Sequence, residues 1–190
     1  IVPGVKGSTR VAGYDPDHYR DVWLNREKYE SATLFSRVLS EGHPERIPAP
    51  EPLLHEVVDR IESYGYPVHL GDDEALEILG LSDADAATWN FVDEQGAFDG
   101  CSVYFREKPT VSELLEEMFH VEQARRGDYT DSANGVFETR ALREIDAQRY
   151  LLSVATEYNI PKDETEQTKR ALDRYLAELD RLRGWGLENH

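Results

Sequence analysis

The sequence has one cysteine, one methionine and few basic residues, and no apolar run in it approaches the roughly 20 residues that a membrane-spanning helix needs. The lone Cys101 excludes an internal disulfide and any multi-cysteine zinc site, so packing must hold the fold in oxidising and reducing compartments alike. Lys and Arg number 21 against 38 Asp and Glu, a net charge of −17. The bases are scattered and interleaved with acids, which argues against a surface that tracks nucleic-acid phosphates. The chain starts Ile1-Val2-Pro3-Gly4, with neither an initiator methionine nor the basic-then-apolar profile of a signal peptide. The expectation is therefore a piece cut from a longer polypeptide. A phosphate-cradling glycine loop, a nucleophile elbow and internal repeats are also missing.

What is present suits one well-buried domain: 190 residues, 39% hydrophobic and 10% aromatic. Residues 1–15, rich in Gly and Pro, read as a leader or linker. Residues 16–184 read as a single α+β domain, mostly helical with a small antiparallel hairpin, and 185–190 as a tail. Apolar residues from Asp17 to Leu39 suggest helix, stopped by the prolines of 42–50. Leu53, Leu54, Val57, Val58 and Ile61 recur at helical spacing before Gly65. Pro67 to Leu70 is a strand candidate, and Asp73 to Leu79 a short helix. Trp89–Val92 and Cys101–Phe105 flank turn-forming Asp, Gln and Gly residues, which predicts a hairpin. After Pro109 three helices follow. The first opens on Thr110 with Glu113 three residues later, a capping-box pattern, and stops near Gly127. The second runs from Phe137 to Tyr158. The third is capped by Asp163 and carries an apolar stripe that includes Leu172, Tyr175 and Leu179 as far as Gly184.

The chemistry concentrates on the first of these helices. At about 100° per residue, Leu114, Leu115, Met118, Phe119 and Val121 gather on one side, and Glu113, Glu116, Glu117, His120 and Gln123 on the other. Glu116 and His120 stand four apart and project from adjacent turns of one side, a spacing that can grip one ion. The layout is that of an H-E-x-x-H helix with Glu116 at the first histidine position. The competing reading is a solvated acidic face near a helix N-terminus. On the second helix Glu144 falls within an apolar arc, where a carboxylate is costly unless paired, protonated or bound to metal. Facing His120 it supplies a third ligand; facing Arg125 or Arg140 it forms an ion pair. Ala141 and Ala147 are small enough to admit a neighbouring helix closely. His18, His43, His55 and His69 follow no metal spacing, and Cys101 reads as a small buried hydrophobe.

The stretch from Tyr104 to Thr110, then Ser112-Glu113-Leu114-Leu115-Glu116-Glu117-Met118-Phe119-His120-Val121-Glu122-Gln123, resembles zincin-type metallopeptidase domains, specifically those found as C-terminal toxin modules of bacterial polymorphic toxins of the Rhs type. A weaker match continues through Arg143 to Gln148. The resemblance implies a zincin-like domain in which Glu116, His120 and Glu144 bind one divalent ion, zinc first, with manganese or iron as alternatives. Glu117 takes the general-base position. Gln123 and Gln148 fall where they can steady the ligands or serve as ordinary surface or interhelical glutamines, and Tyr129, Tyr150 or Tyr158 is in question for the oxyanion. The sequence departs from the family by placing Glu116 where a histidine is usual, a harder ligand set that lowers the pKa of a bound water less. The expected role is a toxic, metal-dependent hydrolase of protein or peptide substrates, secreted or delivered into a target cell. A cognate immunity protein is the expected partner, with no nucleic acid and no membrane. Two alternatives stay open: a toxin using the E-E-x-x-H site for other chemistry, and a non-catalytic interaction domain.

Overall fold

The computed structural model describes residues 46–82, 84–95, 97–129 and 136–188. The leader at 1–15 and the helix expected over Asp17–Leu39 lie outside them, as do His18 and His43.

Among the described residues the chain forms five helices and a three-stranded sheet, the α+β, mostly helical class expected. In order these are α1 (Glu51–Ser63), β1 (Val68–Leu70), α2 (Asp73–Ser82), β2 (Ala86–Val92), β3 (Phe98–Phe105), α3 (Val111–Arg126), α4 (Val136–Val154) and α5 (Lys162–Glu188). The hairpin β2–β3 is antiparallel, pairing Thr88 with Val103 and Asn90 with Cys101. Its turn is tied by Asp93, whose Oδ1 accepts from the backbone N–H groups of Gln95 and Ala97. β1 joins the other side of β3 in parallel, His69 beside Tyr104, so the sheet is mixed and ordered β1-β3-β2. No helix among the described residues is long and apolar enough to cross a membrane.

Strand alternation assigns the two faces of this sheet. Ala87, Trp89, Phe91 and Tyr104 pack with Ala75, Ile78 and Leu79 of α2. Val103, Phe105 and Cys101 face the other way, onto Val57 and Ile61 of α1 and Leu114 and Val121 of α3. On its far side α3 meets α4 through Leu115 and Leu151. α4 in turn packs on α5 through Ala141, Ile145, Tyr175 and Leu179. Ala141 and Ala147 are both fully buried, the close approach their size permits.

The layering makes α3 a central helix. Its first seven residues, Val111 to Glu117, are all buried, so the competing reading of a solvated acidic face fails over these two turns. The capping box is formed as expected: the Glu113 N–H donates to Thr110 Oγ1, and the Thr110 N–H donates to Glu113 Oε2 at 2.9 Å. Gly127 closes the helix at φ 72°, a left-handed conformation that glycine adopts without a Cβ clash. α4 ends at Val154, four residues short of the expected Tyr158, and α5 runs past Gly184 to Glu188.

Candidate metal centre

Glu116, Glu117 and His120 leave the middle of α3 toward α4 and β2, and Glu144 comes from α4 to meet them. Together with Ala86, Ala87, Thr88, Asn90, Arg140 and Arg143 they line a pocket with about 50 Å³ of room. One ligand atom each from Glu116, His120 and Glu144 lies within 4.8 Å of the other two. This group can hold a metal ion. His120 Nε2 and Glu144 Oε2 are 3.5 Å apart. That is long for a hydrogen bond, yet close to the spacing of about 3.4 Å between two donors on a tetrahedral ion with bonds of about 2.1 Å.

A chain of hydrogen bonds orients the imidazole. Gln123, fully buried, donates through Nε2 to the carbonyl of Arg143 at 3.0 Å, which turns its own oxygen toward the ring. His120 Nδ1 lies 2.8 Å from that Oε1 and must be the donor. The neutral ring therefore carries its lone pair on Nε2, the nitrogen that faces Glu144. Gln148, also buried, donates to Glu116 Oε1 at 2.5 Å. Both glutamines thus orient side chains of this group, where the sequence left an ordinary surface or interhelical role equally open. Thr88 of β2 donates to Glu117 Oε2 at 2.5 Å, a partner that sequence reasoning missed.

Four ionisable groups in one buried pocket perturb one another. Burial raises the Glu117 carboxyl to about 8; His120 opposes the rise and Glu116 reinforces it. Burial works against a charged His120, but the attraction of Glu144, with help from Glu117 and Glu116, outweighs it and holds the imidazole up to about 9. Burial pushes Glu144 upward, but His120 more than offsets this and leaves its carboxyl below the usual range. In the metal-free protein His120 and Glu144 therefore form a buried ion pair, and an entering cation must displace the imidazole's proton. Tyr175, read in the sequence as part of an apolar stripe, lies within electrostatic reach of Glu144 and Glu116. Burial, then those carboxylates, raise its hydroxyl above the ordinary value.

The remaining candidates fall elsewhere. Glu113 serves the helix cap and accepts from Arg46 Nη2 at 2.8 Å. Arg125 lies over the Tyr64 ring, away from Glu144, whereas Arg140 stands close enough to Glu144 to favour its charge. None of the three tyrosines considered for an oxyanion lines the pocket. Tyr129 donates to Asp146, Tyr150 stacks on Phe119, and Tyr158 packs near Leu115 and Leu151. His55 is exposed, and His69 is engaged with Asp72 and stacked on Tyr104. Cys101 is fully buried, and burial pushes its thiol up to about 12, leaving it unreactive. The strand segment Val103–Phe105, which leads toward α3, is in the centre of the sheet with a neighbour on each side. Among the described residues, the strand with an outer edge beside the pocket is β2.

No family model matches this sequence, and no curated protein or solved structure resembles it significantly. The function must be argued from the site.

Proposed function

We propose that the protein is a metal-dependent hydrolase of peptide bonds, with one divalent ion, zinc first, held by Glu116, His120 and Glu144. The observation that carries this reading is the convergence of those three ligand atoms within 4.8 Å, beside a third buried carboxyl, that of Glu117, raised to about 8. When bound, the ion supplies Lewis acidity for a water and for the scissile carbonyl. Gln123 holds His120 in the ligating tautomer and Gln148 holds Glu116. Glu117, fixed by Thr88, accepts a proton from the attacking water and delivers it to the leaving amine. A nearby cation lowers its pKa from about 8 toward neutrality, where a general base works best. Among the described residues β2 has an outer edge; its Ala86, Ala87, Thr88 and Asn90 line the pocket, and this edge is the place for an extended substrate to add as a strand.

The wider role rests on the resemblance of Thr110–Gln123 to zincin-type toxin modules. On that reading the domain is the toxic payload of a larger bacterial protein, delivered into a target cell and neutralised by an immunity protein. With the chain at −17, that partner presents a basic surface. The ion pair of His120 with Glu144 favours one competing reading, a closed polar network that only links α3 to α4.

Elemental analysis separates the two. Near one transition-metal ion per chain, lost in Glu116→Ala, His120→Ala and Glu144→Ala, supports the centre; no metal after reconstitution with zinc, manganese or iron removes it. Expression of the domain in bacterial cells tests the chemistry: growth arrest by the parent should vanish in Glu117→Gln. Arrest that persists in a folded Glu117→Gln rules out the general-base role.

A further inference from the structure

Asn90 lines the pocket from β2, and the sheet fixes where its side chain goes. Cross-strand partners share a face. Thr88 pairs with Val103 and Asn90 with Cys101, and Val103 and Cys101 pack toward α1 and α3. Both β2 side chains therefore point to the side on which α3 lies, two positions and about 7 Å apart along the strand. Thr88 commits its hydroxyl to Glu117. Asn90 is half-buried, and its Oδ1 is shut off from solvent and accepts from no group among the described residues. Of the two ends of this amide, Nδ2 is the one left open, a donor with two N–H groups. The acidic side chains of Glu116 and Glu144 around the same pocket favour that orientation, since they attract an N–H and repel a carbonyl oxygen.

Resting on the hydrolase reading, this placement fills a role that the three tyrosines leave open. When water adds to a peptide carbonyl, its oxygen bonds to the carbon, its proton passes to Glu117, and the C=O electron pair moves onto the carbonyl oxygen. Collapse then breaks the C–N bond as Glu117 returns the proton to the leaving amine. We propose that Asn90 is the oxyanion donor: Nδ2–H bonds the carbonyl oxygen of a peptide that follows β2, and the bond strengthens as charge develops there. From base to donor the path runs through one hydrogen bond to water, the reacting carbonyl and one hydrogen bond to its oxygen. Two hydrogen bonds of about 2.8 Å with a carbonyl between them match the two-residue repeat that separates Thr88, which holds the base, from Asn90. Arg140 and Arg143 reach the pocket from α4, and Arg143 Nε is already committed to the Asp128 carbonyl. Asn90 lies instead on the strand along which the substrate backbone runs.

The test uses the zinc-loaded full chain and two probes measured by calorimetry. One is a phosphinic analogue of an alanine dipeptide, whose tetrahedral centre presents an oxygen where the oxyanion forms. The other is mercaptoacetyl-alanine amide, which reaches zinc through sulfur and presents no such oxygen. In Asn90→Leu, of similar size and without a donor, the phosphinate should bind about 10²-fold more weakly while the thiol stays within about twofold. Asn90→Gln should recover part of the loss. Hydrolysis of casein, read as new amino termini, should fall by a similar factor in kcat with KM held. Equal loss for both probes in Asn90→Leu would mean that Asn90 only shapes the site, and overturns the proposal. So does a phosphinate affinity that Asn90→Leu leaves unchanged, with the metal centre standing in both cases. A parent that binds zinc and the thiol but not the phosphinate loses the hydrolase reading and the donor role together. Failure to bind zinc at all removes the centre itself.

Discussion

Two groups of buried acids meet along α3, and their partners set them apart. Glu113 and Asp85 are held by guanidiniums, from Arg46 at 2.8 Å and Arg106 at 3.0 Å. These cations are permanent, so the charge of each acid is matched within the fold. Glu116 and Glu117 are bonded instead by neutral donors, the Gln148 amide and the Thr88 hydroxyl. Glu144 is matched by an imidazole, a cation that deprotonates within the working range of pH. Burial of an acid alone is therefore a poor marker of function on α3. The better marker is burial together with convergence: ligand atoms of Glu116, His120 and Glu144 lie within 4.8 Å of one another.

Substitutions can break or sharpen that contrast. The largest effect is expected for Glu117→Gln: hydrolysis, read as new amino termini released from peptides, should fall by about 10²–10⁴. Thermal stability should hold or rise, because burial disfavours the charge being removed. Glu113→Ala should do the reverse. It removes half of the capping box and the Arg46 contact, and should cost about 2 kcal/mol in denaturant unfolding while zinc content stays at the parent level. Loss of zinc in Glu113→Ala with the fold intact would erase the distinction between the two groups. A smaller effect is expected for Gln123→Ala, which frees the His120 ring to reorient. Zinc affinity should fall by about tenfold or somewhat more, measured by competition with a chromophoric chelator, and Gln123→Glu should recover part of it by accepting from Nδ1.

How much of this was legible in the sequence depends on the range of each interaction. The helix of Glu116, Glu117 and His120 followed from local signals: the Thr110–Glu113 box, the Gly127 stop and the i, i+4 spacing. Glu144 was visible because an acid inside an apolar arc demands an explanation. The surroundings of α3 were not visible. Enclosure by α1, the sheet and α4 depends on residues far apart in sequence, so the amphipathic pattern left a solvated face open where the fold puts β2. For the same reason Thr88, 29 residues before Glu117, carried no signal. The arginine that relieves Glu113 lies 67 residues away, and the stripe alone showed only like charges. Strand order was also beyond local reading. Cys101–Phe105 reads as half of a hairpin, and nothing within it tells that β1 will cover its other edge.

The contrast has its gentlest expression in pH. In chelated protein His120 is held up to about 9, above the ordinary 6.5, so its share of stability is complete below about pH 6.5 and is lost as pH rises through 9. Glu117, raised to about 8 from 4.5, acts in the same direction: the unfolded chain releases this proton from about pH 4.5 upward while the folded chain keeps it until about 8. Glu144 has the opposite sense. Its lowered folded value gives stability above the ordinary carboxylate range that is lost on acidification. Melting of the chelated protein should therefore fall by roughly a few degrees between pH 6.5 and 9, less so in His120→Gln, and no less in Glu113→Ala. With zinc bound the imidazole has already released its proton, so the slope should flatten or reverse. Coincident pH profiles for chelated and zinc-loaded protein would mean that the ion does not enter at His120.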